Sequence, residues 1–532
     1  MTPRADRLSA RFTNGDRPSK PLAIGSLSNV FIGGAILASM IAMLISGSPL
    51  VAMLPILAGL TLLAVWWMPS RMPLYAVIGM AMLGDITAPA TIPADDPVLR
   101  PFQLMRLFLL ENLNKATGIE ALRVSGMEVV LLLLVGLVLV RAFFAKSDDL
   151  RTPAAPVMPL YAALGLAFAV VLAMEVWGLA RGGDARQSFW QLRYVLWTPL
   201  LGGLCMYAVR KSTQLTEAAA MVTIVACIKV GVGLYVFLWA RARGLAAPHS
   251  VTSHADTVLF TVVIALWSAV MLFRPTATRA LIALPTILWM MLGIVINNRR
   301  TAYVSVFVVL LLLVCLLPRA TRRAVLLGAL AFAPLAAGYL IVGKSRGGTF
   351  FKPAAAIFSV TNQDDSSSDS RDVENYNLTL TLRHNLVLGS GFGHPYEEGP
   401  SSYDLSNVFQ QYRYVAHNSV LWLMGIAGVF GFALFWMQYV LVVHFAALAH
   451  RRATMSIDRI AAYTAIATIA AYQLQAWADM GTQGWTGSAL VSLAFAATSV
   501  VVRRTGAWPS SACLLPQRSP AIRSVAEAHG AH

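Results

Sequence analysis

Charge is scarce in this chain. Asp, Glu, Lys and Arg make up 12% of its 532 residues, against 57% hydrophobic, and mean hydropathy is +0.65. A water-soluble protein of this length could not hide so much apolar surface in its cores. Cysteine is nearly missing as well. The four present, Cys205, Cys227, Cys315 and Cys513, fall in apolar runs or the last segment, which excludes a disulfide framework. The glycine-rich "GSGFGHP" (Gly389 to Pro395) has no Lys-Ser or Lys-Thr to complete a P-loop and no strand-helix setting for a dinucleotide, so it reads as a tight turn. No basic-aromatic module accompanies the net charge of +16, which argues against nucleic acid as a partner.

What the chain has in abundance is apolar runs of about 18–25 residues, each long enough to cross a bilayer. The reading is an all-α, polytopic integral membrane protein with about 14 (12–14) transmembrane helices. The spans are expected near 27–46, 49–68, 72–90, 126–144, 157–177, 193–209, 217–239, 256–273, 277–297, 301–318, 323–343, 418–447, 459–479 and 485–502. The third is weak, carrying Asp85, Pro73 and Pro89, and the sixth is short.

Lysine and arginine set the orientation. Arg4, Arg7, Arg11, Arg17 and Lys20 place the start of the chain inside, as an uncleaved signal anchor. Alternate loops then carry Arg141/Lys146/Arg151, Arg210/Lys211, Arg274/Arg279, Arg319/Arg322/Arg323 and Arg451/Arg452/Arg459, with Arg503/Arg504 after the last span. This inner basic edge faces anionic membrane lipids and accounts for the positive charge.

Two outer segments hold most of the polar material. Around 91–125, "FQLMRLFLLENLNKATGIEALR" reads as an amphipathic helix on the membrane surface. The larger, Lys344 to Ala416, is the main hydrophilic block, and a loop of that length is more often functional than idle. It ends at "AHNSVLWLMGIAGVFGFALF", where His417 stands at the outer face and Asn418 caps the next helix. The positive end of that helix should disfavour imidazolium and keep His417 a neutral base. Gly425, Gly428 and Gly431 would permit close helix packing behind it. At the same face stand Arg299 and Arg300, in "GIVINNRRTAYVSV", with Arg371, Arg383 and Arg413 in the loop. Arginines beside a base suit an anionic headgroup: guanidinium holds phosphate oxygens bidentately and supports a departing diphosphate.

Three of these elements together resemble the bacterial O-antigen ligase and polymerase family. "AHNSVLWLMGIAGVFGFALF" is similar to that family's His-Asn before a hydrophobic run with a Gly-x-x-Gly step. "SRDVENYNLTLTLRHNLVLGSGFG" resembles its arginine followed by a Gly-x-Gly-x-Gly element, and "NNRRTAYVSV" its arginine at the start of a span. The likeness covers roughly residues 295–445. It implies a glycosyltransferase that takes glycan from undecaprenyl diphosphate, facing the periplasm from the inner membrane, with no cofactor and no metal. The acceptor would be lipid A core or a growing polysaccharide, and polysaccharide assembly proteins would be partners. By position, His417 would match the base, and Arg300 (or Arg299) and Arg371 the diphosphate-holding arginines, with Arg383, Arg413 and Asn418 as further binding candidates. The family often has proline after the histidine of "RHNLVLGSGFG"; here Asn385 stands there, which leaves His384 a loop residue.

The expected organisation is a cytoplasmic tail (1–26), a transmembrane region (27–343) with its outer segment at 91–125, a large periplasmic loop (344–417), C-terminal spans (418–502) and a cytoplasmic tail (503–532). Each candidate has a plainer reading. His417 is a boundary histidine, Arg299 and Arg300 anchor a helix end, and Arg371 sits in a solvated Ser/Asp-rich loop. Asp364, Asp365, Asp369, Asp372 and Glu374 offer hard oxygen ligands, but their irregular spacing favours a loop over a cation site. Lys229, Glu175 and Asp479 are intramembrane charges, and Lys229 needs an acidic partner in the bundle. His249 and His254 lie in an outer loop. The rival function is a transporter or flippase for a lipid-linked polysaccharide intermediate, whose polar groups would gather at the bilayer midplane on broken helices.

Overall fold

The computed structural model describes residues 33–34, 36–41, 43–44, 68–86, 92, 96–117, 123–144, 157–245, 252–297, 299–345, 351, 354, 366–400, 402, 411–482 and 484–508. The chain divides into two compact units, Met1–Pro73 and Leu74–His532. In the first, the described residues between 33 and 44 are helical. Half of the expected span 27–46 and nearly all of 49–68 lie outside the described residues, as do Asp364, Asp365, His249 and Cys513.

Long runs of Leu, Val, Ala and Ile make helices here because a helix satisfies its own backbone, which a bilayer cannot do. Every expected span from the third onward falls on one. In chain order these are α1 (Arg71–Gly84), α2 (Arg100–Met105), α3 (Leu113–Thr117), α4 (Gly126–Phe144), α5 (Met158–Ala180), α6 (Ala185–Ala208), α7 (Ser212–Ala242), α8 (Asp256–Phe273), α9 (Ala277–Asn297), α10 (Arg300–Leu316) and α11 (Arg319–Ser345). After them come α12 (Ser366–His384), α13 (Ser419–Arg452), α14 (Ser456–Ala478) and α15 (Trp485–Arg504). Among the described residues 7 helices are long and apolar enough to cross a membrane, namely α5, α7, α8, α9, α11, α13 and α15, and no strand forms. The chain is a multi-pass membrane protein.

In the second unit α14 sits centrally, packed by α8, α10, α13 and α15, while α15 also packs along α6 and α13 along α5. The α15 seam is built from small residues, Ser488, Ala489, Ser492, Ala494, Ala496 and Ser499, all buried, which lets backbones approach. Thr198 of α6 bonds Ser488 there at 2.8 Å. One end of this bundle gathers the start of α8, the α9–α10 junction, α12, the start of α13 and the α14–α15 junction. The other end is basic: Arg504 pairs with Asp458 at 2.7 Å and Arg452 reaches the Gly506 carbonyl at 2.6 Å.

The segment expected as a surface helix is not one helix. α2 runs into a π-helical turn (Arg106–Leu110), and the chain restarts at α3. Arg106 is responsible for the break: its carbonyl takes the Glu111 amide at 3.0 Å while its guanidinium pairs with the Glu111 carboxylate at 3.1 Å. Lys229 finds the partner its burial demands. Its ammonium, fully buried, pairs with Asp256 and donates to the Asp85 carbonyl at 2.7 Å. The Asp85 carboxylate in turn accepts from Ser253 (3.2 Å) and Thr486 (3.1 Å).

Gly425 and Gly431 pack as expected, facing Thr381 and Met174, but Gly428 does something else. Gly428 has φ 63° and breaks the helix. The stretch 386–391 closes the break edge-on: Ser390 N donates to Gly425 O (3.0 Å), Gly391 N to Ile426 O (2.9 Å) and Val429 N to Leu386 O (2.8 Å). Side chains cannot enter this seam. A Cβ at Gly428 would lie 2.3 Å from the Val387 carbonyl, and one at Gly389 1.9 Å from that of Ile426.

Lys229→Ala would leave Asp256 buried and unpaired, a loss on the order of 3–5 kcal/mol. Thermal unfolding of the purified protein in detergent should show that loss as a lowered Tm, and the double change Lys229→Met with Asp256→Leu should recover most of it. An unchanged Tm for Lys229→Ala would mean the pair contributes no net stability.

Candidate functional site

α12 places the first site residues. The stretch read as a solvated loop is a helix packed against α13, and its charges suit its dipole, with Asp369 in the first turn and Arg383 and His384 in the last. Positions three and four apart share a helix face, so Arg371, Glu374 and Asn375 point the same way. Opposite them, Asn418 caps α13 by accepting from Leu421 N at 3.1 Å, and its amide donates to Asn375 Oδ1 at 3.1 Å. That contact sets His417 against Glu374. The His417 amide donates to Glu374 Oε2 at 3.0 Å, and Nδ1 lies 3.2 and 3.3 Å from the two carboxylate oxygens.

A carboxylate only accepts, so His417 carries its proton on Nδ1 and turns the Nε2 lone pair outward. The His417 side chain is 39% exposed while that of Glu374 is 12% exposed, so the ring can be reached and its partner cannot. The expectation that the helix terminus keeps the imidazole neutral is corrected here. The hydrogen bond that Glu374 accepts from the ring raises the His417 pKa above its ordinary value; burial and Arg371 pull the other way, and Glu374 and Asp479 add to the rise through their charge. A carboxylate in contact outweighs a helix end.

A second chain of contacts meets the first. Arg371 Nη1 donates to the Ala478 carbonyl at 3.2 Å, an orphan group at the end of α14. The next residue, Asp479, accepts from Met480 N at 2.9 Å and binds His254 Nδ1. Arg299 Nη2 lies 2.6 Å from His254 Nε2. Since arginine only donates, His254 Nε2 accepts and its proton faces Asp479. Arg299 is itself an uneasy cation. Burial lowers its pKa, Asp479 opposes that, and Arg371 repels it. Its Nε is buried with no hydrogen-bond partner among the described residues.

The structure thus brings Arg299, Arg371, His417 and Asn418 together and leaves the other candidates apart. Arg300 is exposed at the start of α10. Arg383 is exposed at the far end of α12, about 18 Å along the axis from Arg371. Arg413 pairs with Glu398 at 2.5 Å, and His384 with Glu397 at 2.5 Å. Glu374, His254 and Asp479 join the site, although sequence reasoning gave them minor roles. The i, i+3 spacing of Arg371 and Glu374 was the available signal. Glu175 pairs instead with Ser188. Among the described residues no three His, Cys, Asp or Glu side chains gather as a metal-holding group.

Residues 285–436 match the family model of the O-antigen ligase, and that stretch holds Arg299, Arg371, Glu374 and His417. That stretch carries an O-antigen ligase domain, which supports the O-antigen ligase and polymerase family. No curated protein matches the chain. The matched region ends inside α13, so His254 and Asp479 reach the site from outside it. The match supports an O-antigen ligase/polymerase-like function in polysaccharide biosynthesis.

Histidine-selective NMR of the full-length protein should show His417 titrating above about 6.5. Glu374→Gln, which removes the charge but keeps the shape, should bring the midpoint down. A parent midpoint at or below that of the variant would dismiss Glu374 as the cause.

Proposed function

We propose that this protein moves glycan from undecaprenyl diphosphate to a hydroxyl acceptor, at a site on the periplasmic side of the inner membrane. The observation that carries the reading is the pairing of an outward-facing Nε2 on His417 with two arginines that, among the described residues, have no carboxylate in contact. His417 Nε2 takes the proton of the acceptor hydroxyl, and Glu374 stabilises the imidazolium that results. The hydroxyl oxygen attacks the anomeric carbon as the bond to phosphate breaks, and the electron pair leaves with the diphosphate. Arg299, with its unpartnered Nε, and Arg371 hold those oxygens as charge builds. Single-step displacement gives inverted configuration at the anomeric carbon.

The orientation is supported by the basic residues at the opposite end of the bundle, including Arg452 and Arg504, which fit the cytoplasmic side. A carrier for the lipid-linked intermediate is the second reading, favoured by the broken α13 and the buried Lys229–Asp256 pair. Both features are closed, however: the break is sealed by backbone and the pair is fully buried.

Purified protein in lipid, given a polyprenyl-diphosphate oligosaccharide and acceptor, should transfer glycan. His417→Ala should lower the rate by about 10²–10⁴-fold, with Arg299→Gln and Arg371→Gln also impaired and Arg300→Gln close to the parent. The rate should rise with pH through the raised His417 midpoint, because only the neutral ring accepts a proton. Full activity in His417→Ala would discard the base. No transfer by the parent would favour the carrier.

A further inference from the structure

Beside the candidate site, an open groove of about 1210 Å³ lies between the α2–α4 segment and the first two turns of α6. Its floor is tied down by Arg193, which is buried and bonds Glu128 (3.0 Å), Asn112 (2.7 Å) and the Arg123 carbonyl (2.9 Å). Its walls carry more positive charge than they neutralise. Glu111 is shared by Arg106 (3.1 Å) and Lys115 (2.9 Å), and Asp184 is engaged by the Arg186 and Gln187 amides at the start of α6. Arg123 and Arg186 are both exposed, and among the described residues neither has a carboxylate partner. Between these cations stand aromatic rings, with Phe189 39% exposed and Trp190 half-buried.

Guanidinium groups beside exposed rings and amide side chains suit a sugar polymer. A pyranose presents an apolar C–H face to a ring and hydroxyls to amides, and its carboxylate or phosphate substituents meet arginine bidentately. A lipid headgroup would need the cations but not this aromatic wall. The groove also shares two segments with the site. Gln411 lines it and begins the turn that leads to His417, its carbonyl accepting Tyr414 N at 2.8 Å. Tyr194, also lining it, packs edge-on against Trp485 at 5.4 Å, just past the Asp479 segment.

We infer that this groove binds an anionic glycan, holding the acceptor chain while its terminal hydroxyl reaches His417. The acceptor role rests on the transfer reading above; binding itself does not. The test uses full-length protein in discs of zwitterionic lipid, titrated by calorimetry with an oligomer of galacturonic acid and with a neutral malto-oligosaccharide of equal length. The acidic oligomer should bind, more weakly as salt rises, and the double variant Arg123→Gln/Arg186→Gln should lose about tenfold in affinity. In the transfer assay, the double variant should raise the acceptor KM and leave kcat near the parent's. Equal binding of the neutral oligomer, no binding of the acidic one, or undiminished affinity in the double variant would overturn the inference. So would discs of anionic lipid that raise the Tm of the parent but not of the double variant while the acidic oligomer fails to bind, since the cations would then serve a headgroup. A protein that binds the oligomer but transfers nothing would retire the transferase reading and leave the groove standing.

Discussion

The break in α13 at Gly428, and the backbone hydrogen bonds that close it, hold the candidate site in place. A helix interrupted within a membrane exposes amides and carbonyls that lipid cannot satisfy. Here the stretch 386–391 satisfies them, with Ser390, Gly391 and Val429 as donors. That stretch follows α12 directly, so closing the break also fixes where α12 lies over the bundle. α12 then presents Arg371 and Glu374, and α13 begins at the Asn418 cap beside His417. Phe392 continues the seam onto α5 through the Met174 carbonyl at 3.3 Å. One backbone constraint therefore aligns α5, α12 and α13.

The electrostatics repeat a single device. A carboxylate stands behind a histidine and settles which nitrogen keeps the proton: Glu374 behind His417, Asp479 behind His254. The outcomes differ because the far nitrogens differ. His254 Nε2 is taken up by Arg299 at 2.6 Å, which makes that ring a strut between an acid and a cation. Among the described residues His417 Nε2 has no such partner and stays available. Two residues after His254, Asp256 turns the other way and neutralises Lys229 in the bundle. The loop that shapes the site is thus pinned from below by a buried ion pair.

Much of this was legible in the sequence, and what was missed has physical causes. Apolar run length gave the helices because membrane spans must be long and self-satisfied. Asn418 as a cap and His417 at a boundary followed from local rules that hold whatever the fold. Glu374 was hidden because "SSSDSRDVENYN" is polar all round and reads as loop; its helix depends on packing against α13, which no local propensity reports. Arg299 and Arg300 are adjacent, and only the turn between α9 and α10 decides that the first faces inward. Asp479 and His254 are 225 residues apart and could be joined only by the bundle's topology. Of the α13 glycines only Gly428 departs from the packing role, because spacing alone cannot separate a packing face from a helix break; the decisive quantity is its positive φ.

The raised pKa of His417 bears on how such a site would work. A stronger base pulls harder on a hydroxyl proton, but fewer molecules carry it neutral at a given pH, so the best value lies near the working pH. Two opposed influences set that value here: Glu374 raises it, and Arg371 with burial lowers it. On the transfer reading, an anionic diphosphate held by Arg371 would cancel part of that arginine's field at the ring. The donor would then increase the proton affinity of His417 as it binds, so the base is strongest when there is something to transfer. Arg371 would in this way hold the leaving group and tune the base at once, and the two roles follow from one position on α12.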